Sequence, residues 1–497
     1  MPKFSQTLIP LGCLAFSLFA DDQPQWGAAW SRNMVSTERN LPDGFDPKTG
    51  RSIKWSIPLG TETHSTPVIA NGRVYIGTNN GQPRDPKHQG DRGVLMCLNE
   101  KDGALLWQLV VPKREEDPYL DWPKSGISSP ATVDGNVVYT VTSRGEVVAL
   151  DPEGMANGND GTFQFEGKHM ARTNFPAMEP GSLDGDILWL YDLTSGAGIW
   201  SHDGAHSSIL VHGNYLYLNS GTGVDNTHRR IRTPDAPSLV VLDKRTGRLV
   251  AREFEGIAPH IFHCTWSSPS MATVNGKELL FFAGGNGIVY AFEPYREIPG
   301  QSTPAPLKKV WQFDIDPTAP KTDVHRYTGN KREGPSNIFG MPVFDRGELF
   351  VAGGGDIWWG KNDCWLKAFS ASGSGDITAS NESWTFPLSR HVLSSPAVTA
   401  DLVFIADCGG MIYCLDRKNG KELWSHELGG EIWASPYVAD GKVYLGTRRG
   451  LFAVFAAAPE KQLLSELKLS SGISATVTAA NGVLYLATMD TLHALTR

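Results

Sequence analysis

Cysteine is scarce in this chain: six of 497 residues, with no adjacent pair and no Cys-x-x-Cys or Cys-x-x-Cys-His spacing. That excludes a thioredoxin-type dithiol and a covalently attached haem. Basic residues are not in excess either. Lys and Arg number 45 against 53 Asp and Glu, a net charge of -8, so the positive field of a nucleic-acid binder is missing. Beyond residue 20, no apolar run approaches the roughly 20 residues that span a bilayer. Nor is the chain poor enough in apolar residues to stay disordered: 40% are hydrophobic and only 20% charged. Its glycines follow no collagen-like period.

What is abundant is glycine, 53 residues, together with 15 tryptophans. Lys3 precedes an apolar run over residues 8–20 that breaks at Asp21-Asp22. This pattern predicts a secretory signal over residues 1–20, cleaved after Ala20, and hence a periplasmic or extracellular protein. A lipoprotein anchor at Cys13 is disfavoured by Pro10 and by the apolar residues 14–19, which would then open the mature chain. The five cysteines that remain, Cys97, Cys264, Cys364, Cys408 and Cys414, are an odd and sparse set. They read as buried free thiols rather than a disulfide framework.

A repeat runs through the rest. Its template is Ser394-Ser395-Pro396, a strand over 402–407, a turn at Gly409-Gly410, a strand over 411–416, a turn at Lys418-Asn419-Gly420, then Leu423-Trp424. Asn and Gly supply the positive φ that narrow hairpins require. The first turn recurs at Asn71-Gly72, Asp134-Gly135, His212-Gly213, Asn275-Gly276, Arg346-Gly347, Ala400-Asp401, Asp440-Gly441 and Asn481-Gly482. Spacings of 63, 78, 63, 71, 54, 40 and 41 residues give a bare unit near 40, with insertions elsewhere. Eight such units predict an all-β fold, an eight-bladed propeller of four-stranded antiparallel blades. The eighth unit ends after its third strand, whereas residues 53–57 read like a fourth strand with no unit before them. The N-terminal strand is therefore expected to close the last blade and the ring, which leaves no large unpaired sheet end exposed. Length alone would suggest about three domains. The repeat instead predicts one over residues 51–497, preceded by an N-terminal segment, 21–50. Trp107, Trp189, Trp311, Trp384 and Trp424 fall on predicted fourth strands, where packing between blades is their expected role.

Strands ending in Leu-Asp, followed by a Thr/Asn-Gly turn and Leu-x-Trp, at 147–151, 240–247 and 412–424, resemble the pyrroloquinoline quinone (PQQ) type of propeller repeat. The resemblance spans nearly the whole mature chain, including Gln25-Trp26-Gly27, and the long form is similar to secreted bacterial propellers. Two groups share this repeat. The outer-membrane protein assembly lipoproteins are binding scaffolds without cofactor. Quinoprotein dehydrogenases hold PQQ and calcium at the channel mouth, commonly beside an adjacent Cys-Cys pair that this chain lacks. Their calcium-binding Glu and Asn and their catalytic Asp find no matching motif here.

Blade topology assigns the loops to faces. The B–C and D–A connections share one face, and nine of the 13 histidines fall there: His64, His88, His202, His206, His228, His260, His263, His325 and His391. His169 and His212 are expected on the opposite face. Insertions over residues 78–93, 222–237 and 354–363 decorate the His-rich face, and long loops on a rigid scaffold commonly carry function. The candidate ligand site comprises His64, Asp203, His206, His263, Trp266, Arg390, His391 and Trp433, in the connections nearest the axis. Metal ligation and channel plugging both remain open for these side chains. Asp184-Gly185-Asp186 and residues 157–161 have calcium-loop composition without EF-hand spacing, and read as turns. Gly353-Gly354-Gly355 precedes no helix, and Gly373-Ser374-Gly375 sits on no strand–helix elbow, so neither a phosphate cradle nor a hydrolase is indicated. The expected function is an exported, monomeric binding module for a partner protein, glycan or small molecule. The alternative is a PQQ-dependent oxidoreductase using calcium.

Overall fold

The computed structural model describes residues 21–115, 117, 120–204 and 207–497. The expected export signal and His206 lie outside the described residues. Eight antiparallel sheets follow one another around a ring. We number them blades 1–8, with strands A to D from the axis outward. Blade 1 runs from Val68–Ala70 to Leu105–Pro112, blade 2 from Thr132–Asp134 to Ile187–Asp192, and blade 3 from Leu210–His212 to Leu249–Arg252. Blade 4 spans Ser270–Val274 to Lys309–Asp314, blade 5 Val343–Asp345 to Glu382–Leu388, and blade 6 Ala397–Val398 to Glu422–Glu427. Blade 7 spans Tyr437–Ala439 to Leu463–Lys468. Blade 8 takes three strands from the C-terminus and its outer strand, Ile53–Pro58, from the N-terminus. Ser56 pairs with His493 and Ile57 with Leu492 in that closing ladder, as the broken repeat predicts.

The core is a ring of inter-blade clusters. One joins Val68 and Trp107 of blade 1 to Val138 and Val148 of blade 2, and another joins Phe313 of blade 4 to Phe369 of blade 5. Tryptophan pins each seam it occupies. The Nε1 of Trp55, Trp107, Trp189, Trp311, Trp384 and Trp424, on outer strands, donates to a carbonyl in the C–D turn of the next blade. The acceptors are Glu100, Pro152, Lys244, Ala371, Arg417 and Ala458, at 2.8–3.1 Å. Burying such a ring contributes roughly 2–3 kcal/mol, and its one polar atom is satisfied. Four of these six rings, Trp55, Trp107, Trp189 and Trp384, lie against a glycine of that turn. At Gly420, φ is +69° and a Cβ would meet Trp384 at 2.5 Å.

Two insertions add short parallel strands at blade edges: Ala305–Pro306 on blade 3 and Gly375–Asp376 on blade 4. A third corrects an expectation. The C–D insertion of blade 2 climbs the outside of the blade, and His169 reaches Glu146 at the start of strand C, with Nε2 2.8 Å from Oε2. His169 therefore lies at the face bearing the B–C turns rather than the opposite one. The free thiols are as expected: Cys97, Cys264, Cys364 and Cys414 are buried, while Cys408 is half-buried.

The N-terminal segment does more than lead to the first blade. Its backbone bonds in turn to Ile69, Val133, Met271, Phe344 and Val438, all in or beside A strands of different blades. Asn33 bonds to Val398 of blade 6, and Glu38 accepts from Gly482 of blade 8. Because A strands line the axis, this segment plugs the channel. At its centre Arg32 is fully buried. Its donors meet the carbonyls of Pro269, Trp26 and Ser208 and the Ser208 hydroxyl at 2.8–3.0 Å.

Candidate functional site

The plug turns the channel into a blind cup. On the face carrying the D–A connections a cavity of about 250 Å³ draws lining residues from all eight of them, and Trp26 of the plug also lines it. Its wall is aromatic. Trp266 packs on Phe339 at 5.2 Å and edge-on to Trp358 at 5.7 Å, and Trp358 stands edge-on to Trp433 at 6.2 Å. The Arg448 guanidinium lies 3.8 Å over the Trp433 ring, and His64 stacks on Trp433 at 5.9 Å. Glu62 Oε1 holds His64 Nε2 at 2.9 Å. The Nε1 of Trp26, the Nε1 of Trp433 and the Nδ1 of His64 are buried with no hydrogen-bond partner among the described residues.

Beside the cup stands a cluster of imidazoles. His202, from the blade 2–3 connection, places Nε2 3.1 Å from Nε2 of His228, which comes from the B–C insertion of blade 3. His263, from the blade 3–4 connection, stacks edge-on to His202 at 4.9 Å and lies 5.5 Å from the His228 ring. Asp203 Oδ2 is 3.6 Å from His202 Nε2 and 3.8 Å from His263 Nε2. Asp356, fully buried, accepts from His263 Nδ1 at 3.1 Å. Burial, then the neighbouring His263 and His228, drives the His202 imidazole down to about 2, so it is neutral. Burial also pushes the Asp203 carboxyl up to about 6, against the pull of His263. Burial of Asp356 is outweighed by His263 and by the backbone N–H groups of Trp358 and Trp359, which hold its carboxyl below the usual range.

Of the eight residues singled out from sequence, His64, Asp203, Trp266 and Trp433 line the cup. His263 stands behind Trp358, 5.1 Å from its ring. His391 is buried and donates through Nε2 to the Lys361 carbonyl at 2.9 Å, fastening the 354–363 insertion. Arg390 is exposed, and its backbone N–H bonds Asp407 at the B–C turn of blade 6, apart from the cup. Trp26, Glu62, Phe339 and Arg448 were not singled out. Their signal was positional: each sits in the plug, in a D–A connection or in a B–C turn. Elsewhere, carboxylate oxygens of Asp151, Asp160 and Asp186 on blade 2 lie within 4.8 Å of one another, an acidic group within what sequence reads as turns.

The donor set does not fit a calcium-bound quinone. Calcium takes six to eight oxygens, carboxylates chief among them. Of the cup's lining only Glu62 and Asp203 are carboxylates; the first is engaged by His64 and the second adjoins the imidazole cluster.

Comparison with known proteins agrees with the fold. A family model described as "Outer membrane protein assembly factor BamB", built on PQQ-type repeats, matches residues 31–159 and 373–463. The chain is similar to an outer membrane protein assembly factor BamB from Moranella endobia, 28% identical over 202 residues, 38% of this chain. The match spans about half (47%) of that relative's length. It is also similar to the quinoprotein alcohol dehydrogenase PedH of Pseudomonas putida, 23% identical over 89% of this chain and 69% of that one. Among solved structures, BamB from Moraxella catarrhalis superposes with a TM-score of 0.52 at 14% identity, covering 89% of this chain and 96% of that one. This likeness is one of fold. With its repeats, its circular closure and these relatives together, the chain is an eight-bladed propeller similar to proteins of the PQQ-like repeat, among them BamB-type assembly factors and a quinoprotein alcohol dehydrogenase.

Proposed function

We propose that this protein is an exported binding module that holds a sugar residue of a glycan in the aromatic cup without transforming it. The observation that carries the reading is the cup's composition: indole and phenyl faces with a few inward donors. Flat aromatic faces cover the apolar side of a ring, and the buried Nε1 of Trp26 and Trp433 and the Nδ1 of His64 offer hydrogen-bonding atoms to hydroxyls. A cavity of about 250 Å³ suits one such residue rather than a segment of folded protein. The scaffold role accords with relatives named as assembly factors. No described helix is long and apolar enough to cross a membrane.

The test is titration of the purified protein with a panel of mono- and oligosaccharides, followed by tryptophan fluorescence and calorimetry. Saturable binding that Trp433→Ala weakens at least tenfold is expected. Absence of binding across the panel overturns the proposal. So does a stable visible absorbance with a raised melting temperature on adding PQQ and calcium, which would restore the oxidoreductase reading.

A further inference from the structure

Three imidazoles from three separate connections converge beside the cup, and nothing in a binding scaffold requires them to do so. The metal-binding atoms of His202, His228 and His263 all lie within 4.8 Å of one another. Two of them, the Nε2 atoms of His202 and His228, face each other at 3.1 Å. Ring nitrogens turned towards one another at this distance share at most one proton, and the third ring stands against the same group. His263 Nε2 is buried with no hydrogen-bond partner among the described residues, which would be costly in a site meant to hold nothing.

The surroundings orient these rings as ligands. Asp356 takes the Nδ1 proton of His263, which leaves the lone pair on Nε2, the atom facing Asp203. Asp356 is itself fixed: its Oδ1 accepts from the N–H groups of Trp358 and Trp359 at 3.0 and 2.8 Å. A carboxylate behind a histidine, itself held by hydrogen bonds, is the outer shell that sets tautomer and ring direction at metal centres. Trp358 and Trp359 also wall the cluster, 5.1 Å from His263 and 5.5 Å from His228. The backbone is strained to present the group, with φ of +58° at Asp203 and +57° at His228.

The spacings suit an ion. At metal–nitrogen distances of about 2.1 Å, a tetrahedral centre separates its ligand atoms by about 3.4 Å. His202 and His228 present their nitrogens 3.1 Å apart and the ligand atom of His263 lies within 4.8 Å of both, while Asp203 stands 3.6 and 3.8 Å from His202 and His263. We propose that His202, His228 and His263 bind one divalent transition-metal ion of the zinc and copper class, with Asp203 at the side that opens on the cup. Imidazole donors prefer such ions to calcium or magnesium. His228 is only half-buried, which gives the ion a route from solvent. A centre with three histidines keeps one position for an exchangeable ligand. Asp203 lines both the cluster and the cup, so that position faces the cavity.

The experiment uses the whole protein, stripped with a chelator and titrated with Co²⁺ and then Zn²⁺. One Co²⁺ per chain is expected, with the strong visible absorption of four-coordinate cobalt, displaced by one equivalent of Zn²⁺. His228→Ala should abolish stoichiometric uptake, and Asp356→Asn should weaken it by about 10–100-fold. Melting of the metal-free variants verifies their folding. Should His228→Ala fail to fold, the milder His228→Asn decides in its place. Absence of stoichiometric uptake by the parent protein, or uptake unchanged in the folded His228 variant, overturns the proposal. Trp433→Ala should leave metal uptake intact, so failure of the cup reading and failure of the metal site are separable.

Discussion

Arg32 donates through Nη2 to the carbonyl oxygen of Ser208 at 2.8 Å and through Nη1 to the Ser208 hydroxyl at 2.9 Å. Among the described residues no carboxylate pairs with it, and burial lowers its guanidinium to about 9. The fork of donors is what the plug requires, because several carbonyls must be met at once. Arg32→Ala strands buried acceptors and should cost about 3 kcal/mol. Arg32→Lys, a point charge on a flexible stem, should rescue less than half of that. Denaturant midpoints measure both, and full rescue by lysine would contradict the geometric argument.

Two glycines with the same backbone separate steric from conformational cost. Gly420 and Gly441 have φ of +69° and +70°, but a Cβ at Gly420 meets the Trp384 ring at 2.5 Å, whereas Gly441 has nothing within 4 Å. Gly441→Ala should lose about 1 kcal/mol from the left-handed backbone. Gly420→Ala should lose a further 1–3 kcal/mol as the ring is displaced. Equal melting temperatures for the two variants would show that the seam yields freely.

The tryptophans fall into two groups that substitution should distinguish. Trp424 is buried between blades and bonds the Ala458 carbonyl, so Trp424→Ala should cost about 3–5 kcal/mol. Trp433 lines the cup, with Arg448 over its face. Trp433→Ala should lower the melting temperature far less while removing saccharide binding. A loss of stability at Trp433 as large as that at Trp424 would place it in the seam group.

Acid stability should depend on Glu146. Burial alone raises its carboxyl, but His169, Arg144 and Thr142 outweigh burial and hold it at about 2, below the ordinary 4.5. The folded value lies below the unfolded one. The stabilisation is therefore complete above pH 4.5 and is lost as pH falls towards 2. In Glu146→Gln the melting temperature should start lower at neutral pH and fall less steeply across that window. A parallel acid limb in both proteins would remove Glu146 from the account.

The blades were legible because each is coded locally: a tight turn, glycine-bearing in seven of the eight, and an alternating strand recur at a readable spacing, with a tryptophan on six of the outer strands. Closure was legible from the same code, since residues 53–57 lacked a unit before them. The cup was legible in part. His64, Asp203, Trp266 and Trp433 were found because loop order fixes which face a residue shares, but loop order is silent on direction. Arg390 accordingly lies apart from the cup, and His391 was turned beneath an insertion. His169 changed faces because a long insertion follows its own packing rather than the blade's alternation. The plug left no trace in periodicity: residues 23–38 bond to different blades one after another, and no repeat records that.

The segment that plugs the channel and the strand that completes blade 8 both precede the first full blade in the chain. Their partners, Val438, Gly482 and Thr491–Leu495, are made last. The first and last strands of the ring share one seam, and its ladder is incomplete without either of them. Loss of residues 53–58 would leave the edge of Thr491–Leu495 unpaired, a row of open backbone groups on which another chain could add a strand.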